Sequence, residues 1–416
     1  MTHWTEFGLS NRPPLVAREP VTELPPPLRV MAEKWRELLA EPVTGVRCGP
    51  ELQPGLFPLH ATGVSTQPIL DAALAFLDSL PATQRKKAVY PIDAAEWRTW
   101  LNMHFNLTRH GVLLEDLPPA GRELGLGLLC ATLSERGFRQ ARDIMRLNGM
   151  LVEITKRASE FGEWPYFLSI FGQPSADQPW GWQIDGHHLN LNCVIIGDQI
   201  VMTPSFMGSE PCAVDQGPQN QGPMAGVRVF ADETRAGLDM VRSLHGDQTG
   251  KAILMPSIHP DDLPEDQRPG FAQGYMKGAA YQDNARIDFE GIRASDFSDA
   301  QRRLLESLIG TYVGWSRDGH AGVKMAEVQR HLDETWFSWK GDTKDEGPFY
   351  YRVQSPVVLI EFEHQSGIVF DNKAPTEHHI HTVVRTPNGG DYGVDLLRQH
   401  HDRYDHSHGH HEARGD

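Results

Sequence analysis

Hydrophobic side chains recur every three to four residues in several stretches of the chain, and this spacing is typical of amphipathic helices. The spacing predicts helices over 28–40, 66–80, 122–157, 232–245, 299–313, 321–332 and 391–397. Gly137 interrupts the apolar pattern within 122–157, and Thr66 followed by Pro68 is a helix-start signal. Helices are therefore expected before residue 160 and again after residue 230.

Alternation with a period of two, which is typical of strands, marks the middle and the end of the chain. The predicted strands are 165–172, 183–192, 200–203, 336–338, 349–351, 357–364 and 379–385. Residues 205–226 are rich in Gly, Pro and Gln, so we expect a loop there that could border a site. Helices and strands come in blocks and do not alternate regularly. This order predicts an α+β fold and disfavours a parallel, doubly wound sheet.

The strand blocks are far apart in sequence, so the fold must bring them together. The early strands at 165–203 and the late strands at 335–385 are expected to form one mixed or antiparallel sheet with helices packed around it. We therefore predict one large domain over 60–400. A Pro-rich arm with one helix precedes it over 1–59, and a His-rich tail, expected to be disordered, follows over 401–416.

Charge and composition exclude several classes of protein. The net charge is −16 and Lys and Arg form no basic run, which argues against a nucleic-acid partner. No run of 18 apolar residues occurs and the N-terminus lacks signal-peptide features, so we expect a cytoplasmic protein without a membrane partner. The four cysteines are scattered and form no CxxC pair, which fits a reducing compartment, and Cys193 is expected to be a small buried hydrophobic residue.

Candidate metal ligands concentrate on the middle and late strands. His379 and His381 are two residues apart, so they share one face of a strand. Glu361 lies on the preceding predicted strand and is a further candidate ligand. His187 and His188 point to opposite faces of a regular strand. His188 is the better candidate of the two because Asn190 and Asn192 share its face. The predicted ligands of a divalent metal ion are therefore His188, Glu361, His379 and His381, and Fe, Zn or Mn would suit such a set.

Three further residues are candidates for catalysis. Glu363 or His364 could act as a general base on a bound water or substrate. Arg385 could clamp a carboxylate or phosphate in a bidentate manner, although a salt bridge to a structural Asp or Glu is the commoner role of such an arginine. Trp180 and Trp182 could wall an apolar pocket, but core packing is the more frequent role of tryptophan.

Several of these segments together resemble the DUF3500 family, a domain of unknown function. The segments are Gly55-Leu-Phe-Pro58, Thr62-Gly-Val-Ser-Thr66, Phe171-Gly-Gln-Pro-Ser175, Gly186-His-His-Leu-Asn-Leu-Asn192, Phe349-Tyr-Tyr-Arg-Val-Gln354, Ile360-Glu-Phe-Glu-His364, His379-Ile-His-Thr-Val-Val-Arg385 and Asp391-Tyr-Gly-Val-Asp-Leu-Leu397. The resemblance covers about residues 60–405. It implies one large domain, and it implies neither a reaction nor a set of catalytic residues.

Two functions remain open on the sequence. The first is a metal-dependent enzyme that acts on a small molecule by hydrolysis or oxidation through the His and Glu residues. The second is a non-catalytic protein that binds a ligand or a metal ion. The chain shows no phosphate-binding Gly-rich loop, GxSxG elbow or nucleophilic Cys signature, so nucleotide binding and serine hydrolysis are disfavoured.

Overall fold

The computed structural model describes residues 3–268, 274–344 and 347–403. Within these ranges the α-helices are α1 (Pro26–Ala40), α2 (Gln67–Ser79), α3 (Ala82–Ala88), α4 (Pro119–Thr132), α5 (Glu135–Thr155), α6 (Ala231–Arg242), α7 (Asp247–Ala252), α8 (Asp299–Val313), α9 (Asp318–Arg330) and α10 (Val394–Arg403). The helices predicted from apolar spacing are therefore present, with shifts of a few residues at their ends.

The strands of the same ranges are β1 (Arg47–Cys48), β2 (Val89–Tyr90), β3 (Val112–Leu113), β4 (Tyr166–Phe171), β5 (Trp180–Gly186), β6 (Leu189–Ile196), β7 (Gln199–Val201), β8 (Ser205–Ser209), β9 (Ile253–Met255), β10 (Arg286–Ile287), β11 (Ile292–Arg293), β12 (Trp336–Gly341), β13 (Phe349–Gln354), β14 (Leu359–Gln365) and β15 (Thr376–Arg385). All but β1 and β10 belong to one large sheet, and those two form a small parallel pair.

The large sheet is mixed and mostly antiparallel, and it joins the two ends of the chain. Its main path is β11-β12-β13-β14-β15-β8-β6-β5-β4-β2, while β3, β7 and β9 pair with β4, β6 and β12 respectively. Strand β8 pairs with the late strand β15 on one side and with the early strand β6 on the other. The α+β class and the meeting of early and late strands in one sheet are thus confirmed.

Two predictions about the middle of the chain are wrong. Residues 183–192 do not form one strand, because the chain reverses at His187 and His188 between β5 and β6. His188 adopts a left-handed conformation with φ 64°. Its N–H donates to the Asn102 carbonyl at 3.1 Å and its carbonyl accepts from the Gly208 N–H at 2.8 Å. Tertiary hydrogen bonds therefore stabilise a turn that carries none of the usual Gly or Asn signals.

The second wrong prediction is the loop over 205–226, because this region begins with the central strand β8. Its sequence, Ser-Phe-Met-Gly-Ser, contains no β-branched residue and a glycine, so local propensity does not favour a strand. Two flanking strands nevertheless satisfy its backbone groups. Pairing on both sides outweighs the weak propensity of the segment.

The predicted helical region 122–157 is two helices, α4 and α5, and its break lies earlier than expected. The break falls at Leu133 and Ser134, and the Ser134 hydroxyl caps α5 by accepting from the Gly137 N–H at 3.1 Å. Gly137 thus lies in the first turn of α5, where a Cβ would collide with the backbone of Trp315. Gly137 therefore serves helix capping and close packing, and it does not interrupt the helix.

The sheet carries a large apolar core on the side packed by the helices. Trp180 and Trp182 are completely buried within this core, as is Cys193, so these residues serve packing. The N-terminal arm runs along the surface and reaches the loop before β15, since the Ser10 N–H donates to the Val369 carbonyl at 2.9 Å. The prediction for the His-rich tail concerns 401–416, of which 404–416 lie outside the described residues. None of the helices seen in the described ranges has both the length and the apolarity that a membrane crossing requires.

Candidate metal centre

Three imidazole rings converge beside the centre of the large sheet. The Nε2 atoms of His379 and His381 are 3.1 Å apart, and those of His381 and His188 are 3.2 Å apart. Within the part of the chain that the structure describes, this is the one group of three or more His, Cys, Asp or Glu residues whose ligand atoms all lie within 4.8 Å of one another. Three of the four predicted metal ligands thus come together.

Each ring reaches this point for a local reason. His379 and His381 share a face of β15 because side chains alternate along a strand. His188 belongs to the β5–β6 turn, and its left-handed backbone turns the chain toward β15. Gly208 of β8 lies opposite His381 in the sheet register. A Cβ at Gly208 would lie 2.8 Å from Cδ2 of His381 and 3.1 Å from Cδ2 of His188, so the absence of a side chain there makes room for both rings.

Two separations among the three nitrogens fit a single bound ion. Zinc–nitrogen bonds measure about 2.0–2.1 Å, and with that bond length the observed separations of 3.1 and 3.2 Å correspond to ligand–metal–ligand angles of about 100°. This value is near the tetrahedral angle. Two of the three nitrogen–nitrogen separations therefore match those around a tetrahedral ion.

Hydrogen bonds fix the orientation of His379. The Ser366 carbonyl lies 2.7 Å from Nδ1 of His379 and accepts the proton of that nitrogen. In the neutral form of this ring the lone pair is on Nε2, which faces His381. A Glu210 carboxylate oxygen lies 3.7 Å from the same Nδ1. Glu210 is held in turn by the backbone N–H groups of residues 368–370, each at 3.0 Å.

Burial keeps the other two rings neutral. Removal from water lowers the pKa of His188 and the pKa of His381 well below the ordinary value, and the neighbouring imidazoles lower both further. Neutral imidazole is the form that binds a metal ion. The protein thus presents these ligands in their binding form at neutral pH.

A second layer of polar contacts supports His188. The His187 ring stacks on the His188 ring at 3.9 Å between centroids. Nδ1 of His187 lies 2.8 Å from Oδ1 of Asn148, and the amide nitrogen of Asn148 donates to the Gly162 carbonyl at 2.6 Å. The Asn148 amide is thereby oriented to accept the His187 proton, so the stacked ring is fixed in place.

A narrow cleft of about 10 Å³ is lined at one end by His381, one of the three converging histidines. This volume is room for about one water molecule. Its walls are mainly apolar and include one amide: Trp35, Asn102, Met103, Phe206, Met276, Ala279 and Ala280. No ionisable side chain other than His381 is found in this lining. The cleft therefore leads to the three histidines between uncharged side chains.

The two glutamates predicted on the same face have other partners. Both oxygens of Glu361 accept from the Lys277 N–H, at 2.9 and 3.0 Å. The Tyr350 hydroxyl donates to Oε1 of the same carboxylate at 2.6 Å. Glu363 accepts from the Tyr275 N–H at 2.7 Å. Both carboxylates thus hold the 274–278 segment against the sheet. The structure does not bring Glu361 into the histidine group.

Burial also changes the protonation of Glu363. Desolvation, with a smaller contribution from the nearby Glu361 charge, raises the pKa of Glu363 to about 8, although its hydrogen bonds and Lys340 oppose this shift. A buried carboxyl group with such a pKa is largely protonated at neutral pH. The general-base role predicted for Glu363 stays a prediction, and the contacts seen here are structural.

His364 and Arg385, the other two catalytic candidates, lie away from the three nitrogens. His364 is on the opposite face of β14, where Nδ1 accepts from the Phe349 N–H at 3.1 Å and burial lowers the pKa of the ring to about 3. Arg385 is fully buried and donates to Asp283 at 2.9 Å and to Asp391 at 3.2 Å. The salt-bridge interpretation of Arg385 thus describes the contacts that the structure shows.

Comparisons with known proteins identify the family and no relative of known function. The family model described as "Protein of unknown function (DUF3500)" matches residues 62–394. Neither the curated proteins nor the solved structures include a significant match to the chain. Because the family model covers most of the chain, this protein belongs to the DUF3500 family.

Proposed function

We propose that the protein binds one transition-metal ion through Nε2 of His188, His379 and His381 and uses it in an enzymatic reaction on a small molecule. The observation that carries the proposal is the contact of Nε2 of His381 with Nε2 of each of the other two histidines. Nδ1 of His379 donates its proton to the Ser366 carbonyl, so in the neutral ring Nε2 of His379 carries a lone pair. Nε2 of His381 lies near that lone pair and near His188 at almost equal distances.

When His379 is neutral, protons alone satisfy this arrangement poorly. If Nε2 of His381 carries a proton, it donates to one neighbour, and the second contact lacks a linear hydrogen bond. If it carries none, it faces the His379 lone pair at 3.1 Å, which is repulsive. A cation shared by three lone pairs satisfies all three nitrogens at once.

The ligand chemistry narrows the candidate ions. Imidazole suits zinc and iron, whereas manganese prefers oxygen ligands. Since no carboxylate joins the histidines, zinc or iron fits better than manganese. When bound, a zinc ion would act as a Lewis acid and lower the pKa of a coordinated water, which supports hydrolysis. The chain itself contributes three imidazole rings that already converge and an apolar cleft that limits the approach of bulk water.

The second candidate function is non-catalytic metal binding. The small size of the cleft at His381 favours it, because only about one water fits there. The three-ligand set favours the enzyme, because catalytic zinc sites commonly combine three protein ligands with one exchangeable position, whereas structural sites are closed by four. The two functions therefore differ in whether a small anion can reach the ion.

Metal analysis tests the binding itself. Protein produced with zinc, iron and manganese in the medium is expected to contain about one ion per chain, as a three-histidine site requires. The variant His379→Ala/His381→Ala should lose it. His378→Ala is the matched control, because His378 lies on the other face of the same strand against the rings of His3 and Phe7. A wild type without metal, or a double variant that keeps its metal, would refute the proposal.

Cobalt substitution separates the two functions. Cobalt(II) in a site with an open position changes its visible spectrum when azide is added, and a closed site does not change. We expect a saturable spectral change in the wild type. An unchanged spectrum in a protein with a full complement of cobalt would refute the enzymatic role and leave metal binding intact.

A further inference from the structure

A second cavity, of about 290 Å³, lies on the other face of the large sheet. Val384 lines it, whereas the adjacent residue Val383 points to the face that carries His381. Leu191 and Val358 complete an apolar floor, and α9 lies above it. The cavity is therefore separated from the histidine group by the thickness of the sheet.

Helix α9 spans this cavity and does not fill it. Only His320 and Val328 are buried among its 13 residues. The interiors of proteins are close-packed, with few voids larger than a water molecule. The volume here is close to the lower end of the range of small-molecule pockets, about 300–1,000 Å³. An apolar floor under a helix that leaves a cavity of this size is the arrangement expected of a binding pocket.

The charges at the mouth indicate the sign of the ligand. Lys324 and Arg330 of α9 line the cavity with one carboxylate, Glu327, so the mouth has an excess of one positive charge in a chain of net charge −16. The Lys324 ammonium is fixed by Glu327 and by the Val357 carbonyl at 2.9 Å. The two histidines of the lining, His60 and His320, add no negative charge.

We propose that this cavity binds a small amphipathic monoanion, with its apolar body on the floor of Leu191, Val358 and Val384 and its anionic head near Lys324 and Arg330. A chain or ring system of about eight carbons with a carboxylate belongs to this class. The apolar contacts provide most of the affinity, because each CH₂ group that enters the cavity removes apolar surface from water. The cations select the anion over a neutral molecule of the same length.

Calorimetric titration of the full chain with octanoate, and with octanol as the neutral analogue, tests this assignment. Ala326→Trp places a bulky ring in the cavity from an exposed position of α9, so it should abolish binding of both molecules and leave the fold intact. Arg330→Glu should weaken octanoate binding about three- to tenfold and leave octanol binding unchanged. Arg303→Glu, on the exposed surface of α8, is the matched control and should change neither.

Three outcomes would overturn the proposal. The first is a wild type that binds neither molecule. The second is an Ala326→Trp variant that still binds octanoate as the wild type does. The third is an equal effect of Arg330→Glu and Arg303→Glu on octanoate binding, which would show that the cavity does not select an anionic head group. Binding by the His379→Ala/His381→Ala variant should equal that of the wild type, so this site can fail or hold independently of the metal centre.

Discussion

Replacement of Gly208 by alanine is the most direct test of how the histidine group is built. Gly208 lies between β6 and β15 and faces His381 across the sheet. An added Cβ would lie 2.8 Å from Cδ2 of His381, 2.9 Å from the Ile380 carbonyl oxygen and 3.1 Å from Cδ2 of His188. Two of these atoms belong to proposed ligand rings, and the third is backbone that cannot move easily.

The expected displacement is larger than a metal site tolerates. Carbon atoms pack at about 3.5 Å or more, so the His381 ring has to retreat by about 0.7 Å. Metal–ligand distances tolerate errors of only about 0.2 Å. We therefore expect the Gly208→Ala variant to bind zinc at least about 10–100-fold more weakly, the loss usual for disturbed supporting shells. The same crowding should lower the free energy of unfolding of the metal-free protein by about 1–3 kcal/mol.

The assay compares two crowded glycines. Zinc affinity is measured by competition with a chromophoric chelator, and stability by chemical denaturation of the metal-free protein. Gly181→Ala is the control, because a Cβ at Gly181 of β5 would meet the Cys193 carbonyl and the Trp97 ring, both in the apolar core. That variant should lose stability and keep its zinc affinity. Wild-type zinc affinity in Gly208→Ala, or an equal loss of affinity in both variants, would refute the reasoning.

Three further predictions concern residues around the group. Glu210→Gln should weaken zinc binding about tenfold or more, as measured by the same competition, because an amide donor would face the backbone N–H groups that now hold the carboxylate near His379. Glu363→Gln should become more stable than the wild type as the pH rises. The folded-state pKa of Glu363 is raised from 4.5 to about 8, so the wild type loses stability as the pH rises through that interval. The difference in unfolding free energy between the variant and the wild type should therefore widen by up to about 1.4 kcal/mol per pH unit. A difference that stays constant with pH would contradict this prediction. Arg385→Met should destabilise the fold by about 3–5 kcal/mol, since Asp283 and Asp391 lose their partner, and at low temperature it should retain its zinc; metal loss in folded Arg385→Met would contradict a purely structural role.

The sequence predicts those parts of the centre that follow from strand geometry. A spacing of two places His379 and His381 on one face of any strand, and the same rule correctly places Glu361 and Glu363 together on theirs. Face sharing does not decide which partner a side chain takes. Glu361 is bound by the backbone N–H groups of Lys277 and Gly278, in a segment whose path no local pattern specifies.

The sequence fails where tertiary pairing outweighs local preference. His187 and His188 carry no turn signature, yet hydrogen bonds to Asn102 and Gly208 fix the reversal there. The segment that becomes β8 is predicted as a loop because it is surrounded by Gly and Pro. Its backbone nevertheless pairs with a strand on each side. Gly208 and Glu210 were missed as contributors to the site for the same reason, since their importance depends on the place of β8 between β6 and β15.

The position of β8 also explains how the fold brings the three histidines together. In small zinc domains the metal supplies the folding energy, because the ligands are otherwise unconstrained. Here β8 pairs on both sides, and the rings of His381 and His188 converge over its Gly208. The loop before β15 orients His379 through the Ser366 carbonyl and holds Glu210 beside it. The backbone of the sheet thus places Nε2 of His381 in contact with Nε2 of both His379 and His188, and it does so through hydrogen bonds and strand pairing alone.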